Sequence, residues 1–299
     1  MKLNREIAEA TLRVLGKCSE EVQPSGSWRW TSAVCNGTRL KVDSSLEEGF
    51  LELASRPDAI AQSGAELEHA LLGNHTLPGG VGLALGADGL HLRTDIALPA
   101  DDQQIEEHLL QRLRWALGGF HHGAALLKSL DARSRGHAQH HAVLSDACLA
   151  EVLGSSTWKS EQRGPNEFAA ALDADSAPPA RIRMTELGLL LSVELGFVPT
   201  GACGSRQAIP VFLLTIGRAL RMARASATES DGGWSFGFRV CLPPAPLPEE
   251  IDHGLAALSL AHRIAARESS VLLDETAAAC YLAAREIANP NQLNLDQGE

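Results

Sequence analysis

Apolar residues recur along this chain in two rhythms, and the order in which the rhythms alternate predicts its elements. Near the start, Ile7, Leu12, Val14 and Leu15 carry helical spacing, which predicts a helix over about 3–22. Asn36-Gly37 then marks a tight hairpin, because both central residues of a type I′ turn need positive φ. It joins strands expected near 27–34 and 38–44, with a third near 49–54. Ser63-Gly-Ala-Glu66 is a capping-box pattern that opens a short helix to about Gly73. Strands near 80–86 and 90–98 flank Ala87-Asp88-Gly89. In the second of these, Leu90, Leu92, Ile96 and Leu98 alternate with His91, Arg93 and Asp95, the period of two of a half-buried strand. A long helix from about 101 to 127 follows, with Ile105, Leu109, Leu113, Leu117 and Phe120 on one stripe.

The same succession then recurs. Glu21-Val22 and Trp28 are matched by Glu151-Val152 and Trp158 at an offset of 130 residues, each set after a stretch with helical spacing (Val143, Cys148, Leu149 and Val152 in the second). The run from Leu85 to Pro99 parallels Thr228 to Pro243: a strand, a turn containing Asp-Gly, an alternating strand, then Leu-Pro and a long helix. The offset there is 144, so the second copy holds 14 more residues in between. Its strands are expected near 158–163, 166–173, 180–185 and 188–196, its middle helix near 205–223 with Ser205 as cap and Pro210 in or just after the first turn, and its long helix near 249–272. An added helix near 274–287 precedes a polar tail. The reading is an α+β protein of two tandem α-β-β-β-α-β-β-α units, with antiparallel sheets and helices packed on one side, forming a pseudo-dimer. The units are 1–132 and 137–288, with Arg133 to Gly136 as linker and 289–299 as tail.

Length agrees, since 299 residues suit two domains of about 150 each. The core must be mostly Leu, Val, Ile and Ala, because aromatics are only 4%. A net charge of -11 disfavours nucleic acid and anionic membranes as partners, and makes a basic or apolar partner segment easier to imagine. No run of about 18 apolar residues predicts a membrane span. The charged N-terminal segment does not read as a signal peptide. None of Cys18, Cys35, Cys148, Cys203, Cys241 and Cys280 forms a CxxC pair, which points to reduced thiols in the cytoplasm.

Candidate chemistry is sparse. His137, His140 and His141 have i, i+3, i+4 spacing, with His121 and His122 nearby, but no H-E-x-x-H arrangement accompanies them, so a solvated face is expected and no metal. Gly79 to Gly86 lacks the Gly-Lys-Ser/Thr ending of a phosphate loop and reads as a turn into a strand. Cys35 beside its hairpin and Cys241 in a strand lack any nucleophile signature. No catalytic residue and no cofactor is expected. The aromatic strands remain: Trp28 and Trp30 share one face, as do Trp234, Phe236 and Phe238. Such spacing suits core, or an apolar surface that accepts a partner segment.

The element order, the acidic balance and the step from Leu-Pro to a long helix resemble the type III secretion chaperone fold, also called Tir-chaperone-like, over nearly the whole chain as two copies. That family is small, acidic and dimeric, and holds unfolded segments of partner proteins. The resemblance implies a non-enzymatic protein- or peptide-binding module, a monomeric pseudo-dimer or weak oligomer, with Trp28, Trp30, Trp234, Phe236 and Phe238 as candidate partner-binding residues. Two other classes stay open: an enzyme with a dispersed site between the units, using His121, His122 or His140 and a carboxylate, and a structural assembly subunit.

Overall fold

The computed structural model describes residues 18–22, 28–34, 40–47, 49–55, 63–87, 89–98, 105–132, 146–172 and 177–288. The expected helix before residue 18, Cys35, the linker, His137, His140, His141 and the tail lie outside these residues, as do the side chains of Trp28 and Trp30.

The protein is α+β, with six helices and two antiparallel sheets among the described residues. Strands β1 (Cys18–Val22), β2 (Trp28–Val34), β3 (Leu40–Glu47) and β4 (Phe50–Ser55) form a meander. Helix α1 (Gly64–Asn74) follows, then the hairpin β5 (Gly82–Gly86) and β6 (Gly89–Ala97), then α2 (Ile105–Ala132). Next come α3 (Asp146–Gly154), a second meander β7 (Ser160–Gly164), β8 (Glu167–Ala170), β9 (Ala180–Thr185) and β10 (Gly188–Pro199), and α4 (Cys203–Gly217). The chain closes with the hairpin β11 (Arg224–Ser230) and β12 (Gly233–Leu242), then α5 (Pro248–Val271) and α6 (Glu275–Ala288). The first sheet is ordered β1-β2-β3-β4-β6-β5 and the second, read from its other edge, β7-β8-β9-β10-β12-β11. Both sheets therefore use one topology, in which the last strand returns to pair with the end of the meander.

Three expectations are corrected. Cys18–Val22 is a strand on β2, not the end of a helix. A five-residue stretch satisfies its backbone groups equally well in a ladder, and helical spacing does not arbitrate for so short a run. Helix α4 starts at Cys203 with Ala202 at its N-cap, so Ser205 lies inside the first turn and Pro210 further within the helix. The capping acceptor comes from α6, where Glu275 accepts from the Gly204 and Ser205 amides at 2.8 and 3.2 Å. The helix also stops six residues early, at Gly217, and the φ of 57° at Met222 would not let a right-handed helix run on to 223.

The core is continuous through both sheets, from Leu51 and Leu83 to Leu191 and Val240. Helix α5 covers the face of the second sheet that carries Leu191, Val240 and Leu242, with Gly254 closest to it. The two halves pack reciprocally: α1 lies against α4, α1 against β11, and α4 against β5. Asn74, at the end of α1, is fully buried there. Its amide donates to Leu83 O of β5 and Ala225 O of β11 at 3.0 and 2.8 Å, and it accepts from Leu83 N.

Candidate functional site

One face of the second sheet is closed by α5, so what the other face carries is the first question. Alternation decides it. On β9, Ile182 points to the core and Arg181 and Arg183 to the opposite side. On β10 that opposite side carries Leu190, Ser192 and Glu194. On β12 it carries Ser235, Gly237, Arg239 and Cys241. On β11 it carries Arg224, Ser226 and Thr228. Gly237 and Ser226 are register partners in the middle, and their small size leaves a depression of about 310 Å³. It crosses β9, β10, β12 and β11 and is walled at one end by His75, from the turn after α1. Its size falls at the low end of ligand pockets.

Its electrostatics are uneven. Arg181 is tied to Glu167 on β8, Nε to Oε1 at 3.0 Å. The side chain of Arg183 has no hydrogen-bond or ion-pair partner among the described residues. Arg239 is 1% exposed. It donates to the carbonyls of His75 and Leu77, both at 2.7 Å, and to no carboxylate among the described residues, while its Nε is unpaired. Burial lowers its pKa to about 10, so it stays charged near neutrality. Burial, then Arg239 and Arg183, lowers His75 to about 4, which keeps the ring neutral; its Nδ1 lies 3.3 Å from the Thr228 hydroxyl. The carboxylates of the groove are Glu194, which accepts from Ser235 at 3.3 Å, and Glu229 on the rim.

The boundary between the halves is the other polar region. Asp95 Oδ2 accepts from Arg224 Nη2 at 2.5 Å and from the Met222 amide at 3.0 Å, and its Oδ1 from Arg93 at 3.2 Å. Arg112 grips Glu250 with two hydrogen bonds, at 2.8 and 2.7 Å. The cavity between these pairs is only about 20 Å³. It has room for a water and not for a substrate. Cys241, beside it, is buried, and burial raises its thiol pKa.

Among the aromatic candidates of the second sheet, Phe236 and Phe238 border the groove, but their side chains point to its opposite face, as does that of Trp234. Trp234, Phe236 and Phe238 are each 1% exposed and belong to the core, on the face that α5 covers. They therefore do not form the partner surface expected of them. On α2, His121 is half-buried and His122 exposed, and among the described residues no three His, Cys, Asp or Glu side chains converge as a metal site. Sequence reasoning missed Arg181, Arg183 and Arg239. Their signal was the charged residue alternating with apolar ones, as in Arg181-Ile-Arg183-Met and Phe238-Arg239-Val240.

Neither a family model nor a curated protein matches the chain. Among solved structures, the crystal structure of DynU16, a protein in the dynemicin biosynthetic locus, is 11% identical; 89% of this chain and 94% of that chain are covered, at a TM-score of 0.14. A likeness that low carries no argument about fold or function. No helix among the described residues is long and apolar enough to cross a membrane.

Proposed function

We propose that this chain is a non-enzymatic protein- or peptide-binding module of secretion-chaperone-like fold, duplicated as units 1–132 and 137–288, acting in the cytoplasm as a monomeric pseudo-dimer. The groove carries this reading: one face of the second sheet is packed with helices, and the other presents a four-strand-wide polar depression of about 310 Å³. Two further observations support it. The two sheets share one strand order, and the halves contact each other reciprocally, as two like subunits of a dimer do. The face is favoured over the edge, because the edge strand β7 is short and exposes Glu161, Gln162 and Arg163, the charged kind of edge that resists strand addition.

The test is to purify the tagged protein from its native host and identify what accompanies it by mass spectrometry, beside a Ser192→Trp variant that fills the groove. One dominant partner, held through a segment that is extended when bound and lost from Ser192→Trp while the circular dichroism spectrum is unchanged, supports the reading. A partner retained equally by both proteins, or none with either, refutes it.

A further inference from the structure

We infer that the groove holds an extended acidic segment of its partner, a carboxylate of which docks on Arg183, beside the buried charge of Arg239. This rests on the groove being the binding surface and names the chemistry it selects.

Two of the three guanidinium groups in the groove have no carboxylate partner among the described residues. Three guanidinium groups line the groove, and the carboxylate beside them, Glu167, is taken by Arg181. Arg239 is a buried charge held by two neutral carbonyls, with Nε unpaired. The side chain of Arg183 has no partner among the described residues. Buried charges are ordinarily paired, so the Arg239 charge favours an anion nearby, and the open Arg183 fork matches a carboxylate in two hydrogen bonds. His75 cannot supply or compete for that charge, because its ring stays neutral between the same two arginines. In register, Arg181 and Arg239 both stand opposite Ser192, and Arg183 stands opposite Leu190, one step along the same face. Glu194 lies on the other side of Ser192, opposite Gly237. The groove is thus cationic at one end. Past the carboxylate site, Ser192, Ser226, Thr228 and Ser235 offer hydroxyls to the rest of an extended chain. Neighbouring strands lie about 4.8 Å apart, so a depression four strands wide accepts several residues rather than a lone ion.

The net charge of -11 by itself points the other way, toward a basic partner. Charges beyond about 8 Å are largely screened at physiological salt, however, whereas a half-buried contact is not. The overall charge slows the approach of an acidic segment; the groove decides what stays.

The experiment is fluorescence anisotropy with the full chain and a labelled Gly-Ser-Glu-Ser-Glu-Ser-Gly peptide, its Gln counterpart, its Lys counterpart, and free glutamate and inorganic phosphate as competitors. The expected result is binding of the Glu peptide at least about tenfold tighter than the Gln peptide, weakened by salt and weakened about tenfold or more by Arg183→Glu. Arg183→Lys should recover part of it, and the thermal midpoint should not change. Equal binding of Glu and Gln peptides, preference for the Lys peptide, indifference to Arg183→Glu, or no peptide binding overturns the inference. So does free glutamate or phosphate competing as well as the peptide, which would mark a small-anion pocket. If Ser192→Trp still loses the host partner while the Glu peptide shows no preference, the acidic specificity falls and the binding surface stands. If Ser192→Trp loses nothing, the binding surface itself falls.

Discussion

Asp95 is a residue at which charged groups of both halves converge. Buried carboxylates cost free energy unless fully paired, and this one accepts from Arg224, Arg93 and the Met222 amide. Burial alone would raise its pKa, but the two guanidinium groups and those hydrogen bonds outweigh it and hold the carboxyl below its ordinary range. Asp95→Asn should therefore destabilise the protein by about 3–5 kcal/mol, read from urea unfolding, because Arg224 is left charged and unpaired. Asp95→Leu with Arg224→Met should cost much less, and a double as damaging as the single would contradict this account. The pH dependence has two parts. A depressed carboxylate contributes stability that is present above its unfolded pKa and is lost as pH falls through the folded value, so Asp95 matters below about pH 4. His75 acts higher. Its folded pKa of about 4 lies below the unfolded 6.5, so the unfolded state binds more protons between those values and stability falls as pH drops from 6.5 to 4. Burial shifts His108 and His262 the same way. His75→Gln should flatten that slope without abolishing it, as pH-dependent melting would show.

Among elements, those whose determinants are local were legible and those fixed from afar were not. Helix α1 is local: the Ser63 hydroxyl accepts from Glu66 N at 3.3 Å, and the Glu66 carboxylate accepts from Ser63 N at 2.6 Å, both implied by Ser63-x-x-Glu66. Ser63→Ala should lower stability by about 1 kcal/mol. The alternation of β6 and β12 was equally plain, yet it did not reveal that Asp95 and Arg239, on the polar faces, are buried. Their cover comes from the opposite half, and period-two patterning does not record what packs on a strand. The start of α4 was misplaced for a like reason: its cap, Glu275, sits 70 residues from Ser205 in sequence. The groove was half legible, in charged residues alternating with apolar ones; that they share one depression follows from the register of four strands. Close approach is another long-range term. A side chain at Gly119 of α2 would run into the backbone at Pro78 and into Val81. Gly119→Ala should thus cost about 1–3 kcal/mol by overpacking, although alanine favours helix, and calorimetry of the variant would settle the sign.

At the scale of the whole molecule the halves cannot be independent beads. The core runs through both sheets, and Arg206 of α4 pairs with Glu68 of α1, Arg112 with Glu250, and Phe50 of β4 with His253 of α5 and with Arg221. Each half alone would expose the apolar faces of α1 or α4 together with unpaired buried charges. Unfolding of the intact chain should accordingly be one transition, with tryptophan fluorescence and far-ultraviolet dichroism coincident in urea. Two separated transitions would mean that the shared core contributes little. Cutting the chain in the segment between the halves probes the same point from the other side. If the boundary is a subunit interface joined by a connection, fragments 1–136 and 137–299 made together should associate and co-elute at the size of the intact protein, because its contacts are all noncovalent. Made separately, each should aggregate or lack a cooperative transition. The connection then contributes only effective concentration, so the reassembled pair should dissociate on dilution where the intact chain does not. Asn74→Leu should weaken reassembly further, since it leaves the groups of Leu83 and Ala225 without their buried partner. Fragments that fold alone and ignore each other would instead make the two sheets separate domains, and the turn at His75 that walls the groove would have no fixed place.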